Sequence, residues 1–118
     1  MTTLEIAEKL YNFCKVGNFD QAQKDLFADN ATSIEKNQTG QWETITGLEA
    51  LKNKGDAFRA DIEEHHGGFL KEPVVYGNNI FMEMGLDATF KGIGRMEMNE
   101  MCHYQVANGK IKSETFYY

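Results

Sequence analysis

The chain has 118 residues, of which 42% are hydrophobic and only one is proline, a composition that argues against a disordered protein. Its formal net charge of −6 disfavours DNA and anionic lipid as partners, because like charges repel and no basic stripe offsets them. No stretch approaches the roughly 18 apolar residues that a membrane span needs. We therefore expect a single domain over residues 1–118, with no nucleic acid and no membrane among its partners.

The two cysteines, Cys14 and Cys102, are far apart in the sequence. The opening MTTLEIAEKL has neither the basic segment nor the apolar core of a secretory signal. Reduced thiols in a cytoplasmic protein are the simplest interpretation of these two features.

The first part of the chain predicts two helices. Thr2 and Glu5 have the spacing of a capping box, and an apolar stripe at helical spacing follows them. Gly17 suits the end of this helix, because glycine adopts the left-handed conformation at low cost. A second helix is predicted from Asp20 to Leu26 or Phe27.

The segment GQWETITG is predicted to be a loop that contains Trp42. Thr46 and Glu49 then repeat the capping-box spacing and predict the start of a third helix. Phe58 lies on the apolar face of that helix, and Gly55 inside it costs about 1 kcal/mol relative to alanine.

The second half of the chain has the period of strands. Pro73 suits a strand edge or start, and YGNN suits a turn. IFMEMGLDATF alternates, with Ile80 and every second residue to Phe90 on one face. Asn108-Gly109 is a strong hairpin signal before the last strand. With one short early strand at 31–36, the order predicts an α+β fold with the helices on one side of a curved antiparallel sheet.

Three segments carry a resemblance to a known family: VGNFDQAQKDLFADNATSIE, GLEALKNK and HYQVANGKIKSETFYY. Together they resemble the nuclear transport factor 2-like superfamily, which includes the SnoaL-like proteins and the ketosteroid isomerases. The resemblance covers nearly the whole chain. It implies a cone-shaped α+β barrel, in which three N-terminal helices pack on a curved, mostly antiparallel sheet that encloses a pocket, and it implies a homodimer. It does not imply one function, because this fold hosts isomerases, cyclases, hydrolases, dehydratases and proteins that only bind.

The resemblance makes Glu35 a candidate general base. ATSIE at the end of the early strand matches the position of ATVED in the ketosteroid isomerases, where the aspartate removes a proton. Such a base acts best in a poorly solvated site. The alternative is that Glu35 only hydrogen-bonds a loop at the mouth of the cavity.

The same comparison indicates that one hydrogen-bond donor of the isomerases is missing from this chain. The isomerases have a protonated aspartic acid immediately before a His-Phe pair, and it donates to the oxyanion of the substrate. Here Cys102 precedes His103-Tyr104, and a thiol is a weak donor. Tyr11 lies near the place of the other oxyanion donor, a tyrosine on the first helix. Steroid isomerisation is therefore disfavoured, since such donors are often the largest catalytic contribution.

Glu100 is the second candidate catalytic residue. If Cys102 faces the pocket, alternation places Glu100 on the same, otherwise apolar face. A lone carboxylate there is either hydrogen-bonded to a neighbour or functional, and with Glu35 it can divide the acid and base roles. The candidate ligand pocket consists of Tyr11, Trp42, Phe58, His66, Met98, Cys102 and Tyr104.

The sequence EEHH at 63–66 raises the question of a metal site. His65 and His66 point to opposite sides of a strand, whereas Glu64 and His66 can share a face. No third ligand has a suitable spacing, so we predict neither a metal nor another cofactor.

The residues thus indicate a protein that binds a small, largely apolar molecule in an internal pocket. Isomerisation, cyclisation or dehydration by carboxylate acid–base chemistry is the first hypothesis for its function. The alternative is a non-catalytic ligand-binding or dimerising module.

Overall fold

The computed structural model describes residues 1–118 and contains three helices and seven strands. The helices are α1 (Thr3–Lys15), α2 (Phe19–Leu26) and α3 (Leu48–Ala60). The strands are β1 (Phe27–Lys36), β2 (Trp42–Thr46), β3 (Ile62–Leu70), β4 (Val74–Tyr76), β5 (Asn79–Phe90), β6 (Gly94–Ala107) and β7 (Lys110–Tyr117). None of the three helices combines the length and the apolar character that crossing a bilayer requires.

The strands form one curved, unclosed sheet in the order β2-β1-β7-β6-β5-β3, with β4 paired to β5. Every pairing is antiparallel except that of β1 with β7. The three helices pack on the concave side of the sheet, so the predicted α+β class and its layering are confirmed.

Helix α1 starts as its sequence predicts. The Thr2 hydroxyl accepts a hydrogen bond from the Glu5 amide at 3.1 Å, and the Glu5 carboxylate accepts one from the Thr2 amide at 3.0 Å. This reciprocal pair satisfies two backbone donors that an uncapped helix start leaves free.

The segment after β1 differs from its prediction. GQWETITG was expected to be a loop, but Trp42–Thr46 forms β2 and pairs antiparallel with β1. The predicted capping box at Thr46 and Glu49 is also wrong. Gly47 is the N-cap of α3 and makes no side-chain cap, because Thr46 is held in the sheet opposite Thr32.

The core lies between the helices and the concave face of the sheet. The alternation predicted for β5 and β6 is confirmed, since even-numbered residues of both strands are the more buried ones. A single apolar cluster joins the three helices to the sheet, and its fully buried members include Ile6, Leu10, Leu26, Leu51, Ile80, Met82, Cys102 and Ile111.

The hairpin between β6 and β7 contains a tight turn and a bulge, and the bulge decides which β7 residues face the site. Asn108 and Gly109 have φ angles of 53° and 74°, as a type I′ turn requires. Further along β7 the register shifts: Ile111 pairs with Val106, and Glu114 pairs with Tyr104. This bulge adds one residue, so Ile111 and Glu114 face the same concave side although they are three positions apart.

Candidate functional site on the concave face

Glu35 lies near the end of β1 and forms an ion pair with Lys54 of α3. Both side chains are half-buried, with 27% of each exposed. The Lys54 ammonium also donates to the Ser33 hydroxyl at 2.9 Å and lies 5.2 Å from the centre of the Phe116 ring. The predicted base is thus paired with a cation that the sequence pattern did not indicate.

Glu114 is the most buried carboxylate of the molecule, with 8% of the residue exposed. It pairs with Ser33 across the parallel β1–β7 ladder and with Tyr104 across the antiparallel β6–β7 ladder. Burial raises its pKa to about 7; the Ser33 hydroxyl and the Lys54 ammonium act in the opposite direction. Sequence reasoning missed Glu114, because strict alternation from Ile111 places it on the other face.

Glu100 faces the same side of the sheet from β6, as predicted. Burial raises its pKa, and the negative charge of Glu35 raises it further. The Cys102 thiol donates a weak hydrogen bond to Glu100 Oε1 at 3.7 Å. Together with the Lys54 charge, this bond partly offsets the increase.

Tyr118 follows β7 directly and contacts Glu35. Its hydroxyl donates to Glu35 Oε2 at 2.9 Å, and the Lys36 carbonyl lies at the same distance. Although 59% of the residue is exposed, partial burial of the hydroxyl and its bond to Glu35 raise the pKa of the phenol to about 12. The hydroxyl therefore keeps its proton at neutral pH.

Three of the predicted pocket residues lie beside Glu100 on β6. Cys102 and Tyr104 are buried, and Met98 is half-buried on the same face. The Tyr104 ring meets Phe27 edge to face, with 6.3 Å between the ring centres. Burial raises the pKa of the Cys102 thiol and of the Tyr104 phenol, so both stay protonated. The two uncharged side chains form an apolar surface beside Glu100.

The other four predicted pocket residues do not join this group. Tyr11 packs at the edge of the core, with the Lys15 ammonium 5.3 Å from its ring centre. Phe58 remains 43% exposed and packs against Phe90.

Trp42 and His66 lie on the outer face, which corrects the prediction for both. Trp42 is 49% exposed and pairs with Lys36, one position beyond Glu35 and therefore on the opposite side of β1. Alternation along β3 places the His66 ring on the outer face, where Nε2 lies 2.7 Å from Thr89 Oγ1. Glu64 approaches the same nitrogen at 4.0 Å, so this pair shares a face as expected.

Two surface clefts of about 540 and 630 Å³ open elsewhere on the molecule. Lys9, Lys24 and Lys110 line the first, while Thr46 and Glu49 line the second. No three of the His, Cys, Asp and Glu side chains lie close enough together to hold a metal ion.

The concave group can exchange protons without a metal. It combines three carboxylates (Glu35, Glu100 and Glu114) with one ammonium (Lys54), and repulsion among the carboxylates favours retaining a proton. With a pKa of about 7, Glu114 is partly protonated near neutral pH, while Glu35 is the carboxylate partner of Lys54. The site therefore contains a carboxylic acid and a carboxylate together. Such a pair can take up a proton at one position and release one at another.

The model of the SnoaL-like domain family matches residues 1–118. Among solved structures, a SnoaL-like protein from Mesorhizobium loti, proposed to be a polyketide cyclase, is 35% identical with a TM-score of 0.90 over 100% of both chains. A protein of ketosteroid isomerase-like fold from Catenulispora acidiphila, in complex with trimethylamine, is 20% identical with a TM-score of 0.71 over 95% of this chain and 84% of that one. An NTF2-like protein of unknown function from Burkholderia pseudomallei is 11% identical with a TM-score of 0.78 over 100% and 92%. No curated protein matches the chain.

Proposed function

The chain belongs to the SnoaL-like domain family, and we propose that it binds a small, largely apolar molecule on the concave face of its sheet and moves a proton on it. The reaction class is isomerisation, cyclisation or dehydration. The observation that carries this proposal is the ion pair of Glu35 with Lys54, which lies on the same concave face as the carboxylates of Glu100 and Glu114.

Glu35 is the proposed base of this reaction. It is more exposed than Glu114, and its position matches the base of the isomerases. The buried Glu114 and the half-buried Glu100 are the proposed acids, because burial favours their protonated forms. Cys102, Tyr104 and Met98 provide the apolar surface against which the ligand rests.

The comparisons support this reaction class without naming a substrate. The polyketide cyclase activity proposed for the Mesorhizobium loti protein favours cyclisation, a reaction that begins with proton removal beside a carbonyl. The trimethylamine complex of the Catenulispora acidiphila protein favours a small organic ligand.

The alternative is a binding or dimerising module without chemistry. Both Glu35 oxygens are engaged, Oε1 by Lys54 and Oε2 by Tyr118, as in a structural carboxylate.

The outer face of the sheet also favours self-association. Trp42 and Tyr117 meet there edge to face, and together with Met101 they are 39–49% exposed. We propose that the protein forms a homodimer through this face.

Proton exchange in D₂O tests the catalytic proposal. The purified protein is incubated with a panel of enolisable ketones and β-dicarbonyl compounds, and loss of the α proton is followed by NMR. We expect Glu35→Gln to slow exchange by about 10²-fold or more, the usual contribution of a general base. Glu83→Gln is the matched control, because Glu83 pairs with Lys71 on the outer face.

Unchanged exchange in the Glu35→Gln protein would exclude Glu35 as the base. If the wild type binds members of the panel but exchanges none of them, the alternative of a binding module is correct.

A further inference from the structure

Proton removal beside a carbonyl leaves negative charge on the carbonyl oxygen, and an enzyme needs a hydrogen-bond donor for it. The positions suggested by sequence provide none. The Cys102 thiol is a weak donor and already contacts Glu100. The Tyr11 ring lies at the edge of the core beneath Lys15.

Tyr118 places a strong donor directly beside the proposed base. Its hydroxyl lies 2.9 Å from Glu35 Oε2. In an enolisable compound the α carbon and the carbonyl oxygen are separated by only two bonds. A base and a donor that are hydrogen-bonded to each other can therefore serve these two nearby atoms once a substrate separates them.

We propose that Tyr118 donates its phenolic hydrogen bond to the carbonyl oxygen of the substrate while Glu35 removes the neighbouring α proton. This assignment rests on the proposed function and narrows the substrate class to enolisable ketones and β-dicarbonyl compounds. The C–H bond breaks, its proton goes to the Glu35 carboxylate, and its electron pair forms the enolate, whose oxygen carries the charge. The protonated Glu35 then returns the proton to carbon, so no oxidant or co-reactant is needed.

The surroundings of Tyr118 suit this exchange of partners. Tyr117 is the last residue of β7, so the ladder does not hold Tyr118. The Lys36 carbonyl, also 2.9 Å from the hydroxyl, is a second acceptor that can hold the phenolic hydrogen bond until a substrate oxygen takes its place. With a pKa of about 12, the phenol keeps the proton that it has to donate.

Lys54 is the other cation or donor within reach, but it is already engaged. Its ammonium pairs with Glu35 Oε1 and donates to Ser33. Lys54 thereby orients the base through Oε1, while Oε2 accepts from Tyr118.

Binding of 4-nitrophenol tests the assignment without any turnover. Its anion has the charge on an oxygen bonded to an sp² carbon, as an enolate does, and its absorbance reports ionisation. Glu35→Gln is the background, because the amide represents the neutral acid that faces the enolate. We expect Tyr118→Phe in this background to weaken binding of the anion about tenfold or more, the value of a hydrogen bond to a charged group.

Tyr117→Phe in the same background is the matched control, because Tyr117 packs against Trp42 on the outer face. It should leave the affinity unchanged. Thermal melts of all variants check that each is folded. Equal affinity in the Tyr118→Phe and Tyr117→Phe proteins would overturn the assignment, and so would failure of the Glu35→Gln protein to bind the anion.

The exchange assay separates this inference from the function on which it rests. If Glu35→Gln abolishes exchange and Tyr118→Phe retains the wild-type rate, the function stands and the assignment of Tyr118 is wrong. If Tyr118→Phe weakens binding in a protein that exchanges no α proton, Tyr118 is confirmed as the oxygen donor and the catalytic function is wrong.

Discussion

Lys54 and Glu35 form an ion pair that links α3 to β1, and the same ammonium lowers the pKa of Glu100 and of Glu114. One lysine thus partly neutralises three carboxylates from three different strands. With three carboxylates and one ammonium the fully ionised group has an excess of negative charge, and each proton that it retains reduces this excess, which is the physical basis of its acid–base chemistry.

Removing this cation should destabilise the protein most at high pH. Lys54→Met leaves the carboxylates of the site without their ammonium, and we expect a loss of about 1–3 kcal/mol in the free energy of unfolding at pH 8. The loss should shrink at pH 4, where carboxylates begin to be protonated. Denaturant unfolding at both pH values measures the difference.

Lys52→Met is the matched control for that experiment. Lys52 lies two positions away on α3 and pairs with Asp56 in an exposed i,i+4 arrangement, which contributes only about 0.5 kcal/mol. Equal losses for the two variants would contradict a special role for Lys54.

Glu114 should make the protein less stable as the pH rises. Its pKa is about 7 in the folded state against 4.5 ordinarily, so the folded protein binds this proton more tightly than the unfolded chain. Stability is therefore lost between about pH 4.5 and pH 7, and the loss is complete above pH 7. Glu114→Gln should raise the free energy of unfolding at pH 8 by up to about 3 kcal/mol and have little effect at pH 4.

Urea unfolding of the Glu114→Gln protein across this pH range is the measurement. Glu49→Gln, an exposed position of α3, serves as the control. A Glu114→Gln protein that is less stable than the wild type at pH 8 would indicate an ionised, structurally bound Glu114.

Two glycine substitutions should have opposite effects. Gly109 has a φ of 74° in the β6–β7 turn, so Gly109→Ala should cost about 1 kcal/mol or more. Gly55 lies inside α3, and a Cβ there meets only the flexible end of Arg59 at 3.1 Å. Gly55→Ala should therefore stabilise by up to about 1 kcal/mol. Melting temperatures that shift in the same direction would contradict this account.

The proposed homodimer predicts a mass of two chains in solution. Light scattering at micromolar concentration should give twice the monomer mass of 13.4 kDa. Met101→Glu places a charge in the exposed outer-face patch and should give the monomer, whereas Val74→Glu, exposed on β4, should leave the dimer intact. A wild-type protein that is monomeric under these conditions excludes the dimer.

Much of the fold could be predicted because its signals are local. The capping box of α1, the alternation along β5 and β6, and the Asn108-Gly109 turn each depend on residues a few positions apart. Glu35 and Glu100 could be proposed for the same reason, since each stands at a definite position on its strand.

β2 could not be predicted in this way. Trp42–Thr46 is a strand because β1 offers it an edge with which to pair, and that edge is a tertiary feature. The outward direction of Trp42 follows from the same register.

The remainder of the candidate site was decided by tertiary structure. Glu114 faces inward because a bulge in β7 changes the parity of the strand, and a bulge depends on the pairing of two strands. Lys54 reaches Glu35 because α3 packs across β1, and Tyr118 reaches it because β7 lies parallel to β1. The sequence by itself determined the order of elements and which strand faces are apolar, since both follow from spacing along the chain. Only the tertiary structure decided which charges meet, since that depends on strand register and helix docking between distant segments.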